Sequence, residues 1–338
     1  MAIFTNNHFI DDTQIVACEG YDFELGGNYD AIMESYEDDY AIIEAMYAFD
    51  MEDLKLTKES ADFTQPQPVL EASLKEIWEK IKAFIVNLGK KIAAFFKSVA
   101  DFISSIVMSG SEFAKKYKER LGKVKLSNFT YDMYEYKISS NFKTGRDFIK
   151  NGEASATETV KLINAIKVSE ANANAKLENV KNNIAKENEE NLADLRKKLS
   201  GEADSEKFTE ALFNKFRNGG SKKRVNVSSV NDYVVALEKS DDLLKNIKEM
   251  DKNVKETFKK MEQIINEAAR EAEKESGDAI KAQIGARKAG LMRAQVSHVS
   301  KVQSIITRYI NAWSSAVKES TGVYKNLCFK AMQHKPAK

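Results

Sequence analysis

The chain has 338 residues, of which 43% are hydrophobic, enough to bury a substantial core. Its 52 basic and 51 acidic residues nearly cancel, and its two cysteines are too few for a disulfide framework, which favours a reducing compartment. No uninterrupted apolar run of about 20 residues is present and no signal peptide is evident, so we expect neither a membrane-spanning helix nor secretion.

The near balance of charge hides a division of the chain into two parts. Residues 1–66 contain 16 acidic and two basic residues and so carry a net charge of −14. The remaining 50 basic and 35 acidic residues give residues 67–338 a net charge of +15. Pro66 and Pro68 lie at the junction, and because proline is excluded from helix interiors we expect a linker there. We therefore assign residues 1–69 to an acidic N-terminal segment and linker.

Two short stretches of the acidic segment are alike. In each, a glutamate, Glu34 or Glu44, stands two residues after an isoleucine and is followed by a small residue. The apolar spacing over residues 30–47 also fits an ordinary amphipathic helix. The stretches are therefore either a pair of protease sites or part of such a helix.

Residues 70–108 contain the most regular apolar pattern of the chain, because successive apolar positions alternate spacings of four and three. This pattern predicts an amphipathic heptad helix, roughly 50 Å long over residues 74–106. Its apolar face requires a cover, which other helices, another subunit or partner, or a lipid surface could supply. The apolar positions, called the seam below, are Leu74, Trp78, Ile81, Ile85, Leu88, Ile92, Phe95, Val99, Phe102 and Ile106.

Residues 109–152 are predicted to hold a short basic helix and a small β element. Gly110 favours a helix end, and a basic stretch from residue 112 to Gly122 predicts a separate short helix. Residues 123–138 are rich in aromatic side chains and partly alternating, which predicts one or two strands in a β-hairpin.

Residues 153–338 are predicted to form long helices. Apolar residues recur at helical spacing from about Ala154, with glycine breaks at Gly201, Gly277 and Gly322. Long helices joined by short loops indicate an antiparallel bundle. The predicted fold class is therefore mainly α: an elongated antiparallel helical bundle with a separate amphipathic heptad helix and, at residues 109–152, a small β-hairpin.

The sequence offers little for catalysis. Its three histidines, His8, His298 and His334, include no pair at a metal-binding spacing, and His298 is expected to be exposed among small and polar neighbours. Neither a phosphate-cradling glycine motif nor a nucleophile elbow is found. We therefore expect no enzyme activity and no cofactor or metal.

One basic cluster is a candidate for binding DNA. Lys222, Lys223 and Arg224 follow two glycines, where they could contact phosphate groups or form a solvated turn. The net charge of residues 67–338 also suits a protein that packs against duplex DNA or an anionic membrane surface.

The acidic segment, the glutamates, the heptad helix and the long helical remainder together resemble the internal head proteins of large tailed bacteriophages. Such virion structural proteins are packaged in the prohead and trimmed by a maturation protease. In one well-known group that protease cuts after a glutamate that has an aliphatic residue two positions before it. Glu34 and Glu44 match this pattern, and Glu71 matches it more loosely.

The resemblance implies a non-enzymatic protein, made in the host cytoplasm and located inside the capsid. Its partners would be the maturation protease, other virion proteins or a second copy through the heptad helix, and the DNA with which it could be ejected. Two alternatives remain. One is a membrane-active α-helical protein similar to pore-forming toxins, whose heptad helix faces lipid, and the other is a coiled-coil scaffold.

Overall fold

The structure, a computed structural model, describes residues 68–138, 142–167, 172–217, 221–238, 241–274 and 279–334. These residues are mainly α-helical with one two-stranded antiparallel sheet, which confirms the predicted mainly α class with a small β element. In chain order the elements are α1 (Pro68–Gly122), β1 (Thr130–Met133), α2 (Phe142–Ala165), α3 (Ala173–Ser200), α4 (Phe208–Phe216), β2 (Lys223–Asn226), α5 (Asn231–Glu238), α6 (Asp241–Lys274) and α7 (Ala279–Gln333).

Helix α7 lies at the centre of the fold. It contacts every other helix of the described chain, α1 to α6. Consequently it is buried on all sides along much of its length: Ile310 and Ala312, which project about 200° apart, are both buried. The rings of Phe142 and Trp313 meet edge to face at 5.0 Å and hold the start of α2 against this central helix. That contact explains why α2 begins before Ala154, where the sequence pattern placed the helix start.

Helix α1 packs along α6 and α7, and the expectation of a heptad helix separate from the bundle is wrong. Its described seam residues from Trp78 to Val99 are all buried in the main core, whereas the side chain of Leu74 lies outside the described residues. The physical reason is that α6 supplies a complementary apolar stripe, which includes Val254 and Met261. The cover that the seam requires therefore comes largely from within the chain.

The seam turns gradually away from the core. Phe102 and Ile106 are only half-buried, and the buried positions at that level are Ile103 and Val107. A straight helix has 3.6 residues per turn, so a heptad stripe drifts by about 20° every seven residues. Over nearly five heptads the drift moves the last seam residues to the edge of the contact.

The predicted helix ends at Gly110 and Gly322 are wrong, because α1 and α7 each continue through their glycine and both contain 55 residues. A Cβ at position 110 would lie 3.3 Å from the carbonyl oxygen of Leu237, so glycine lets α5 approach α1 closely. One interior glycine destabilises a helix by only about 1 kcal/mol, which tertiary packing outweighs. Gly201 does end α3: its φ is +90° and its N–H donates to the carbonyl of Lys197 at 2.8 Å.

The small antiparallel sheet joins strands that are distant in sequence. Strand β1 pairs with β2 in a register that sets Thr130 opposite Asn226 and Met133 opposite Lys223. The β element is confirmed, but it is not a hairpin of adjoining residues. The partner strand contains two residues of the basic cluster that the sequence placed in a loop.

A second, smaller core lies under this sheet, at the C-terminal ends of α1 and α7. We call it the end cluster; its buried members are Leu121, Phe129, Met133, Val227, Val230, Leu327, Cys328 and Ala331. It fixes the orientation of the last turns of α1, and with them a group of basic side chains.

Candidate functional site

The predicted cleavage positions differ in their place in the structure. Glu34 and Glu44 lie outside the described residues, and Glu71 lies in the first turn of α1. Proline is compatible with the first position of a helix, which is why α1 begins at Pro68 rather than beyond the linker. The first-turn N–H groups of a helix lack intrahelical partners, so this turn frays more readily than the helix interior.

The predicted phosphate-contacting cluster is largely paired with carboxylates. Arg224 donates two parallel hydrogen bonds to Asp132, each of 3.0 Å, across the sheet, and its hydrogen bond lowers the pKa of that carboxyl. The Nζ of Lys223 lies 3.7 Å from Glu135, and the Nζ of Lys222 lies 5.7 Å from the centre of the Tyr134 ring. Because β1 brings these carboxylates beside β2, the cluster presents less net positive charge than its sequence suggests.

A larger group of basic side chains surrounds the end cluster. Tyr117 and Leu121 face the end cluster, and the charged residues between them project into solvent. We call this group the basic end; it consists of Lys115, Lys116, Lys118, Arg120, Lys123, Lys125 and Lys330. All seven are exposed, and within the described chain none forms an ion pair.

Two tyrosine rings support the basic end. The Tyr117 ring has the Nζ of Lys116 at 5.2 Å and the guanidinium of Arg120 at 5.8 Å from its centre. The Nζ of Lys330 lies 5.3 Å from the centre of the Tyr131 ring, which ties α7 to β1. Cation–π contacts of this kind hold a cation in place without neutralising it. The arrangement therefore concentrates uncompensated positive charge on one end of the molecule.

The stretch from residue 112 to Gly122 is recognisable as basic from the sequence, but it was not predicted as a site. The signal that could have found it is its pattern: residues 112–125 contain six basic and two acidic residues, with apolar residues at helical spacing between them. The missing information was the position of the acidic residues of β1 and the stretch after it. In the structure Asp132 and Glu135 pair with Arg224 and Lys223, so they do not compensate the cations of α1.

His298 is buried, so the expectation that it is exposed is wrong. Its side chain is 5% exposed, and burial lowers its pKa to about 4, with a smaller effect from Lys301. The Nδ1 atom has no hydrogen-bond partner within the described chain. No group of three His, Cys, Asp or Glu in the described residues could hold a metal ion, at His298 or elsewhere.

A cleft of about 310 Å³ lies between α1, α5, α6, α7 and the residues after β1. Its walls are mostly apolar, with Ile106 and Val317 among them, and Tyr136 and Tyr324 stand at its polar side. Burial raises the pKa of Tyr136, and the nearby carboxylate of Glu319 raises it further. Glu319 in turn is bound by Arg217 at 2.8 Å. Such a tyrosine stays protonated at neutral pH and is a poor general base.

Helix α1 also has the length and composition of a membrane span. Within the described chain, the stretch Trp78–Gly122 meets that criterion, with a mean hydropathy of 1.5 in its most apolar window, of which 33% is buried. Core helices of soluble proteins meet the same criterion, so it gives weak evidence.

Comparisons with known proteins add no relative. No protein-family model, curated protein or solved structure matches the chain.

Proposed function

We propose that this protein is a non-enzymatic structural protein of a phage virion, packaged inside the head and associated with DNA once its acidic N-terminal segment is removed. The observation that carries the proposal is the division of charge, −14 in residues 1–66 against +15 in residues 67–338. A tethered polyanion competes with DNA phosphates at high effective concentration, so the acidic segment would weaken DNA binding while it stays attached.

The place of Glu71 supports removal of the acidic segment by the maturation protease. Cleavage after Glu71 separates the acidic residues from the bundle and opens only the first turn of α1. The described seam begins seven residues later, at Trp78, and stays buried against α6 and α7. Residues 72–338 would therefore keep their packing after cleavage.

Contacts with other virion proteins, or with a second copy, would use the outer side of α1. The described seam residues up to Val99 are already buried within the chain. Phe102 and Ile106 are half-buried, and Met108 is 58% exposed. Met108 projects about 200° away from Ile106, so it lies on the opposite side of the helix and is the exposed large apolar side chain of the described part of α1 that remains available to a protein partner.

The first experiment is detection of the polypeptide in purified virions, with its N-terminal residue identified by mass spectrometry. An N-terminus at Ala72, or at the residue after Glu34 or Glu44, supports trimming in the head. Absence from virions of a phage whose infected cells make the protein overturns the proposed location and leaves the membrane-active protein and the coiled-coil scaffold.

The second experiment compares the full-length chain with a truncated chain that begins at Ala72, each titrated with duplex DNA at two salt concentrations. We expect the truncated chain to bind at least about tenfold more tightly at low salt, with affinity falling steeply as salt rises. Thermal melting of both chains checks that truncation leaves the bundle folded. Equal affinities overturn masking, and no binding by either chain overturns the DNA role.

The membrane-active alternative predicts a different result with lipid. If α1 faces a bilayer, the full-length chain co-sediments with neutral phosphatidylcholine vesicles, where charge attraction plays no part. The proposed function predicts that it remains in the supernatant.

A further inference from the structure

We propose that the basic end is the surface that contacts the duplex-DNA backbone, in place of the cluster formed by Lys222, Lys223 and Arg224. The inference rests on the proposed association with DNA and assigns it to a location. Seven cations of α1, the residues after it and α7 come together there around the end cluster, although they are separated by about 200 residues in sequence. DNA is the occupant because its phosphate backbone presents a dense row of negative charges.

The first argument is the state of the charges. Asp132 and Glu135 already satisfy Arg224 and Lys223, so a phosphate group would have to replace a carboxylate partner there. The cations of the basic end have no such partner within the described chain. Binding of phosphate groups to the basic end therefore releases counterions without breaking an ion pair, which is the source of non-specific DNA affinity.

The second argument excludes a purely local role for these cations. Basic residues near a helix C-terminus stabilise the helix dipole, which is equivalent to about half a negative charge. Only Arg120 lies in the last turn of α1, and residues 112–125 carry a net charge of +4, far more than the dipole requires. Lys123 and Lys125 follow the helix, and Lys330 belongs to another helix altogether.

The third argument favours nucleic acid over a lipid surface. A helix that lies in a bilayer interface needs an exposed apolar face beside its basic residues. In residues 112–125 the apolar side chains of Phe113, Tyr117 and Val124 are half-buried against the end cluster, and Leu121 is fully buried. The exposed side chains of this segment are all charged. The basic end therefore offers cations to a polyanion without an apolar anchor for lipid.

The test uses the full-length chain and the chain that begins at Ala72, each titrated with a duplex of about 20 base pairs at several salt concentrations. The first variant carries Lys115→Gln, Lys116→Gln, Lys118→Gln and Lys123→Gln, all at exposed positions, so that the fold is retained. A matched control removes the same charge from exposed positions on α2 and α6, with Lys143→Gln, Lys150→Gln, Lys245→Gln and Lys259→Gln. A third variant carries Lys222→Gln, Lys223→Gln and Arg224→Gln.

We expect the first variant to lose at least tenfold in affinity at low salt. Its slope of log affinity against log salt should fall by about 0.9 for each phosphate group that the variant no longer neutralises. The matched control and the third variant should each change affinity less than about threefold. Equal losses in the first variant and the matched control would overturn the inference, because total charge rather than location would then decide binding.

The failures of the two proposals are distinguishable. If the unaltered chain binds DNA and the third variant alone loses affinity, the location is wrong and the proposed association with DNA stands. If the unaltered chain binds no DNA in its full-length or its Ala72 form, both fall. Binding to anionic phosphatidylserine vesicles without binding to DNA would replace nucleic acid by a membrane surface as the occupant.

Discussion

Helices α1 and α7 each contain 55 residues, yet they owe their stability to different kinds of packing. Helix α1 buries one face against two long neighbours and leaves the other face to solvent, so its sequence shows a heptad stripe. Helix α7 is surrounded by all the other helices, so its buried residues occur on every side and show no single stripe. Apolar periodicity therefore reveals which helix is one-sided and does not reveal which helix is central.

The polar residues of α7 also differ in kind from those of α1. Gln295 is 1% exposed and donates to Thr159 on α2 at 3.1 Å, and Thr159 donates to the carbonyl of Ser155. Gln303 and Thr307 form a second buried pair, at 3.2 Å within α7. A buried side chain that needs a partner fits only one register of two helices. The contact between Gln295 and Thr159 therefore helps to determine how α2 and α7 align, whereas the polar residues of α1 are mostly solvated.

The largest expected effect comes from aspartate substitutions on opposite sides of the two helices. In α1, Ile92→Asp should destabilise the fold by at least about 3 kcal/mol because it buries an unpaired charge, while Ala94→Asp, at an exposed position, should have little effect. In α7, Ile310→Asp and Ala312→Asp should both be severe, since both positions are buried.

Chemical denaturation of the four variants measures the free energies of unfolding. A tolerant Ala312→Asp variant would contradict the central position of α7. The double variant Ile85→Asp/Ile92→Asp extends the test. If it kept the melting temperature and the oligomeric state of the wild type, the seam would have to face solvent.

The next effect contrasts the two tryptophans. Trp313 is fully buried and its Nε1–H donates to the carbonyl of Ile138 at 3.3 Å, whereas the buried Nε1 of Trp78 has no hydrogen-bond partner within the described chain. Trp313→Phe should therefore cost about 2–3 kcal/mol through a lost hydrogen bond and a cavity. Trp78→Phe should cost less, because it also removes an unsatisfied donor. Equal losses in urea titrations would show that the two sites are energetically alike.

The free energy of unfolding should depend on pH through a histidine of α7, whereas α1 contains no histidine. The pKa of His298 is about 4 in the fold, below its ordinary 6.5, so the unfolded chain binds a proton first. Stability from this group is complete above about pH 6.5 and is lost as the pH falls towards 4, by about 2 kcal/mol at pH 5. The variant His298→Leu should show a smaller loss between pH 7 and pH 5. A parallel decline in both proteins would mean that other groups cause it.

The smallest effect distinguishes the two interior glycines. Gly322→Ala in α7 should raise the free energy of unfolding by about 0.5–1 kcal/mol, because a Cβ there meets no atom within 4 Å. Gly110→Ala in α1 should bring no such gain, since its Cβ would press on the carbonyl oxygen of Leu237 at 3.3 Å. Differential scanning calorimetry of both variants resolves these changes, and a higher melting temperature for Gly110→Ala would show that α5 moves away easily.

The sequence by itself determined the features that depend on neighbouring residues. The spacing of Trp78, Ile85 and Ile92 predicted an amphipathic helix and its buried face, and Gly201 predicted the end of α3. The mainly helical class and a small β element also follow from local patterns, because helix periodicity, aromatic alternation and glycine conformation are properties of a few adjacent residues.

Only the tertiary structure decided the features that depend on residues far apart in the chain. It made α7 central, paired β1 with β2, buried His298 and gave Arg224 its partner in Asp132, 92 residues away. Helix α1 also continues past Gly110, where α5 packs closely against it. In each case the outcome depends on which surfaces pack together. The free energy of that tertiary packing exceeds the local conformational preferences on which a sequence pattern is based.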